Sequence, residues 1–103
     1  MSFRLKANPT FWRTVNVRSL DGEEFPLQLE LKHRRKSELR EFVASLEGRT
    51  DEELVADLVV GWKDVDAEFS PEALTDLLEE YSGAAVAIWT EYQKAYAEAA
   101  RKN

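Results

Sequence analysis

The chain is 103 residues long, 44% hydrophobic and 11% aromatic, enough for one modest core and too apolar for a disordered segment. It has no cysteine and a single histidine, which excludes a disulfide framework, a thiolate zinc site and a cysteine nucleophile, and leaves His33 no second imidazole with which to share a metal. The formal charge of −6 is unevenly spread: residues 1–49 carry ten Lys/Arg and seven Asp/Glu, and residues 50–103 carry four and thirteen, so the halves are +3 and −9. Such a dipole suits head-to-tail self-association or a basic partner, although two differently solvated faces account for the pattern as well. No stretch approaches the roughly 18 apolar residues of a membrane span, and no signal-peptide core is present, so a soluble cytoplasmic protein is expected.

In chain order, residues 1–10, with Asn8-Pro9-Thr10, read as an irregular lead-in. Alternation then begins: Phe11, Arg13, Val15 and Val17 share one face, while Trp12, Thr14, Asn16 and Arg18 share the other. Asp21-Gly22 marks a turn, and Phe25, Leu27, Leu29 and Leu31 alternate with polar residues in a half-buried second strand. Pro26 cannot donate to a ladder and belongs at an edge or near that strand's start. Residues 11–32 are thus a β-hairpin with one apolar face needing cover.

The cover is expected from helices over 37–101. Leu39, Phe42, Val43 and Leu46 make one stripe, stopped at Gly48. Thr50 and Glu53 have capping-box spacing, and Leu54, Val55, Leu58 and Val59 predict a second helix running up to Gly61-Trp62. Ser70-Pro71 opens a third helix, with Phe69 placed to staple onto Leu74 and a stripe of Leu74, Leu77, Leu78 and Tyr81. After Ser82-Gly83, a long alanine-rich helix runs from about Ala84 to Arg101, with Arg101 and Lys102 at the negative end of its dipole. The expected fold is α+β but predominantly α: a single domain over 1–103, an N-terminal hairpin followed by about four helices, the last one long.

Little in this sequence points to catalysis. Asp64, Asp66 and Glu68 alternate in an acidic loop, but without the central glycine and distal glutamate of a helix–loop–helix calcium site, so a solvated loop is the better reading. Glu79 and Glu80 have no neighbour that would raise a carboxylate pKa. The run Lys32-His33-Arg34-Arg35-Lys36 is the one nucleic-acid-like feature, with Trp12 as a stacking surface, yet the acidic balance of the rest argues against such a partner. There is no glycine-rich phosphate loop, and no cofactor is expected.

The order of features resembles a known family. Asn8-Pro9-Thr10-Phe11 opens a strand, a hairpin ends in the basic run, and Ser37-Glu38-Leu39-Arg40-Glu41-Phe42 follows. Then come Val59-Val60-Gly61-Trp62-Lys63-Asp64-Val65, Phe69-Ser70-Pro71-Glu72-Ala73-Leu74, and a Leu77-Leu78 pair before the aromatic last helix. These features are similar to the tail assembly chaperones of long-tailed bacteriophages, over most of the chain. The resemblance implies a non-enzymatic protein of the bacterial host cytoplasm, absent from the mature virion, which binds the tape-measure protein, keeps it soluble and helps tail-tube protein to polymerise around it.

The family has no catalytic residues to carry over. A long amphipathic helical client needs apolar grooves, and Trp62, Phe69, Leu77, Leu78, Trp89, Tyr92 and Tyr96 are the candidate partner-binding residues. Core packing favours Trp62 and Trp89, and is an even alternative for Tyr92 and Tyr96. Many members are made in two lengths by ribosomal frameshifting, and Arg101-Lys102-Asn103 is compatible with a slippery A AAA AAC string. An acidic adaptor of the anti-repressor or DNA-mimic type and a head–tail connector subunit are the competing readings.

Overall fold

The computed structural model describes residues 2–101. Strand β1 (Thr10–Arg18) pairs antiparallel with β2 (Glu24–Lys32) in an unbroken register from Thr10↔Lys32 to Arg18↔Glu24. Helix α1 (Lys36–Ala44), helix α2 (Asp51–Ala56), strand β3 (Val59–Lys63), helix α3 (Pro71–Glu80) and helix α4 (Ala84–Ala100) follow. The sheet order is β1-β2-β3, all antiparallel.

The third strand corrects the sequence reading. Helix α2 stops at Ala56, Leu58 lies in the turn that follows, and Val59 to Trp62, which the sequence reading placed at the end of a helix, instead belong to a strand beside β2. The apolar spacing of Leu54, Val55, Leu58 and Val59 mimics helical period. Two consecutive valines and a tryptophan nevertheless fit a pleated strand better, and β2 offers its free edge. The pairing passes from Leu31↔Val59 to Glu30↔Gly61, so Val60 is the extra residue of a bulge. A Cβ at Gly61 would lie 2.9 Å from Oε1 of Glu30 on the neighbouring strand, so a side chain there would push that carboxylate aside. With 42% helix and 23% strand, the fold is α+β and not predominantly α. Helix α1 also ends earlier than its stripe suggests; Leu46 and Gly48 (φ +80°) lie in the turn beyond it. Lys102 and Asn103, to which the dipole and frameshift readings refer, lie outside the described residues.

The expected alternation of β1 and β2 is met. Val15, Val17, Leu29 and Leu31 are buried on one face, where they join Phe42, Val55, Leu58, Leu74, Ile88 and Tyr92. Pro26 sits near the start of β2, opposite Asn16 and beyond the stretch that β3 pairs. Helix α4 crosses the buried face over β1, and Arg13 fixes it there: its Nε donates to Glu91 at 2.9 Å and its Nη2 to Glu98 at 3.1 Å. The Glu91 hydrogen bond raises the Arg13 pKa above its ordinary value, although partial burial opposes this.

At the Lys32 end of the sheet a buried arginine joins every layer. Arg34 lies with its guanidinium carbon 4.0 Å from the Phe42 ring centroid of α1, donates to the Tyr92 hydroxyl of α4 at 3.2 Å and to the Asp57 carbonyl at the end of α2 at 2.9 Å. Tyr92 in turn donates to the Lys32 carbonyl at 2.8 Å, while Tyr96 accepts from the Arg34 amide at 2.7 Å and donates to its carbonyl at 3.1 Å. The middle of the basic run is therefore turned inward and spent on packing.

Burial, then the Tyr96 hydrogen bond, pushes the Tyr92 phenol pKa up from its ordinary value near 10. A raised folded-state pKa means that its contribution is intact below pH 10 and is lost as alkali ionises the phenol. Tyr92→Phe leaves the Arg34 donor and the Lys32 carbonyl short of a partner, and should cost about 1–3 kcal/mol in urea unfolding at neutral pH. The variant should also lack the most alkaline step in the 295 nm absorbance titration of the native protein; an unchanged titration would contradict this account.

Candidate functional site: an acidic-rimmed groove

The hairpin end of the sheet's apolar face is left partly open. The α4 helix packs on β1 and α3 packs on α2 and α4, so Phe25, in phase with half-buried Leu27 and buried Leu29, stays 45% exposed where Leu29 is 0% exposed. The result is a groove of about 590 Å³. Its apolar lining comes from Val17, Phe25, Pro26 and Leu27 of the hairpin, Trp62 of β3, Val65 and Ala67 of the following loop, and Ala73, Leu77 and Tyr81 from α3 to its end.

Each wall has a local cause. Trp62 faces the core side because it pairs with Leu29, and its indole Nε1 donates to the Ala67 carbonyl at 2.9 Å. That bond holds the acidic loop against the groove, and Phe69 packs edge-on to Trp62 at 5.1 Å between ring centroids. Asp64 turns the chain out of β3 with φ +61°, a left-handed conformation that aspartate tolerates better than most residues. The start of α3 is set by Ser70, whose hydroxyl accepts from the Ala73 amide at 3.0 Å, with Pro71 at the first helical position.

The rim is acidic. Asp64 and Asp66 come from the loop, and Asp76 and Glu80 stand one helical turn apart on α3. Asp64 accepts from the Gln28 side chain at 3.1 Å. Among the described residues none of the four is ion-paired. No group of three or more His, Cys, Asp or Glu is placed to hold a metal among those residues. An apolar floor with unpaired carboxylates above it is chemically suited to an amphipathic segment that carries cations beside its apolar side chains.

The seven candidate residues fall into two places. Trp62, Phe69 and Leu77 lie in or beside the groove. Trp89, Tyr92 and Tyr96 belong to the Arg34 cluster, where Trp89 stacks on Tyr92 at 6.0 Å and contacts Phe42 at the same distance. Tyr92 is fully buried, so in this structure its ring offers no surface to a partner; Tyr96 and Trp89 are half-buried. Leu78 is half-buried against the core.

Reasoning from sequence missed Phe25, Val65, Tyr81 and the Asp76/Glu80 pair. The i, i+4 spacing of the two acids was a usable signal; the exposure of Phe25 was not, because it depends on where the helices stop.

Structure and groove define a small α+β protein in which helices pack on one face of a three-stranded sheet and leave an apolar groove at its hairpin end. The chain belongs to the phage tail assembly chaperone family, whose model matches residues 1–103, the whole sequence. No curated protein and no solved structure gives a significant match. Among the described residues no helix is long and apolar enough to cross a membrane. Membership makes this a tail assembly chaperone that works with phage tail proteins.

Because the hairpin end of the sheet is open, Phe25→Ser should cost less than about 1 kcal/mol, as expected for a site with little to lose. Leu29→Ala, four residues along the same face, should cost about 2–5 kcal/mol by leaving a cavity. Urea unfolding of both variants measures the contrast, and equal losses would show that the groove is closed.

Proposed function

We propose that this chaperone binds the tape-measure protein of its phage through the acidic-rimmed groove, keeps that long helical client soluble, and delivers it to polymerising tail-tube protein. The role is non-enzymatic and cofactor-free, is carried out in the host cytoplasm, and ends before the virion is finished. The observation that carries this reading is the pairing of an open apolar floor, formed by Phe25, Leu27, Trp62 and Leu77, with the unpaired carboxylates Asp64, Asp66, Asp76 and Glu80. An amphipathic helix laid across the groove would bury its apolar stripe on the floor and set lysines or arginines against the rim. Each such contact is small, and a client with many similar segments would gain avidity by engaging several copies. The strongly acidic second half of the chain also limits aggregation while apolar surface is exposed.

Co-expression with the tape-measure protein of the same phage tests the proposal through the soluble, co-purifying fraction of that partner. The native chain should hold the partner in solution. Leu77→Asp, which places a charge on the groove floor, should weaken capture by roughly tenfold or more, the size expected for a docking hot spot. A partner that precipitates with the native chain, or that is held equally well by Leu77→Asp, would contradict the assignment.

A further inference from the structure

The segment that precedes β1 has the chemistry that the groove selects. In Ser2–Ala7, Phe3 and Leu5 are 91% and 92% exposed and alternate with Arg4 and Lys6. Arg4 donates to the Asn8 side-chain oxygen at 3.0 Å, and among the described residues neither Arg4 nor Lys6 meets a carboxylate. Two large apolar side chains left fully in water within one short segment are unusual for a folded chain unless something covers them. In extended form, alternate residues of that segment face opposite ways. Phe3 and Leu5 could then enter an apolar groove together, while the long Arg4 and Lys6 side chains reach over its edges.

The arm and the groove stand at opposite ends of the sheet. The arm leaves from Thr10, paired with Lys32, whereas Val17, Phe25 and Leu27 of the groove lie near the hairpin turn, and of its sheet residues only Trp62, level with Arg13, reaches back towards the middle of the sheet. From Thr10 to Val17 along β1 is roughly 23 Å at a strand's rise per residue, and the chain from Phe3 to Thr10 spans little more, roughly 23–25 Å, when fully stretched. Docking on its own groove would thus need an arm pulled taut back over the molecule. A second copy presents the same groove without that cost, and the opposite ends of the sheet are then joined head to tail.

We propose that Phe3–Lys6 of one copy docks in the groove of a second copy, Phe3 and Leu5 against the floor and Arg4 and Lys6 against Asp76, Glu80 and the acidic loop. The contact is heterologous, since different patches meet, and it propagates into rings or open chains of copies. This rests on the reading of the groove as a docking site. It adds that arm and client compete for the site, so that client binding releases copies from one another.

Sedimentation velocity of the full chain over a concentration series tests the proposal. The native chain should shift from monomer to larger species as concentration rises. The double variant Arg4→Glu, Lys6→Glu and the double variant Asp76→Lys, Glu80→Lys should each associate at least roughly tenfold more weakly, since each reverses two exposed charge contacts. The two variants mixed in equal amounts should associate again, because each then offers the other a complementary surface. Such rescue would not follow from general misfolding.

A native chain that stays monomeric throughout would overturn the proposal, as would arm variants that associate like the native chain or a mixture that shows no rescue. The outcomes separate it from the client reading. Phe3→Asp, Leu5→Asp should abolish self-association yet still hold the tape-measure protein in solution. A chain that captures client without ever self-associating sinks the arm docking alone, and one that self-associates through the arm but ignores the client sinks the tape-measure reading alone.

Discussion

A buried arginine that has no carboxylate partner among the described residues organises this protein. Arg34 is satisfied instead by the Tyr92 hydroxyl, the Asp57 carbonyl and the face of Phe42, while its own backbone is held at both N–H and C=O by Tyr96. A guanidinium can be buried this way because its donors are spread in a plane and its charge is weakly hydrated. The carbonyl at the end of α2 is also the favourable end of that helix for a cation. Removing any one partner leaves polar groups stranded in a dry site, so the cluster holds as a unit. It fixes β2, α1, α2 and α4 to one another at a single end of the sheet.

That anchoring explains why the other end is open. With β1 and β2 equally long and β3 only half their length, the helices gathered around Arg34 and Arg13 cover the apolar face towards Lys32 and leave the hairpin end to α3 and the acidic loop. Trp62, held by its bond to Ala67, and Leu77 belong to the floor there, with Val65 and Tyr81 beside them. Rigid anchoring at one end and an open groove at the other suits a tail assembly chaperone. The surface that would receive a client is then separate from the interactions that keep the fold together.

The parts of the fold governed by local rules were legible in the sequence. The alternation of two strands in a hairpin, the Thr50 and Ser70 caps and the long alanine-rich helix all follow from short-range patterns, and all are present. Strand β3 was not legible, because Leu54 to Val59 satisfies helical spacing and only pairing with the free edge of β2 decides in favour of a strand. Arg34 was read as part of a basic surface run for a similar reason: its burial depends on Tyr92 and Tyr96, about sixty residues away in the sequence. In the candidate site, Trp62, Phe69 and Leu77 were named from the sequence as large apolar residues for which packing was the competing reading, but the division between groove and Arg34 cluster is a property of the assembled layers.

The most direct test is amide hydrogen exchange of the chaperone alone and bound to tape-measure protein. If the groove is the docking surface, binding should slow exchange in Phe25–Leu27, in the loop from Asp64 to Ala67 and along α3, and leave the outer face of α4 unchanged. Protection confined to α4, or to the outer face of the sheet around Trp12, would contradict the account.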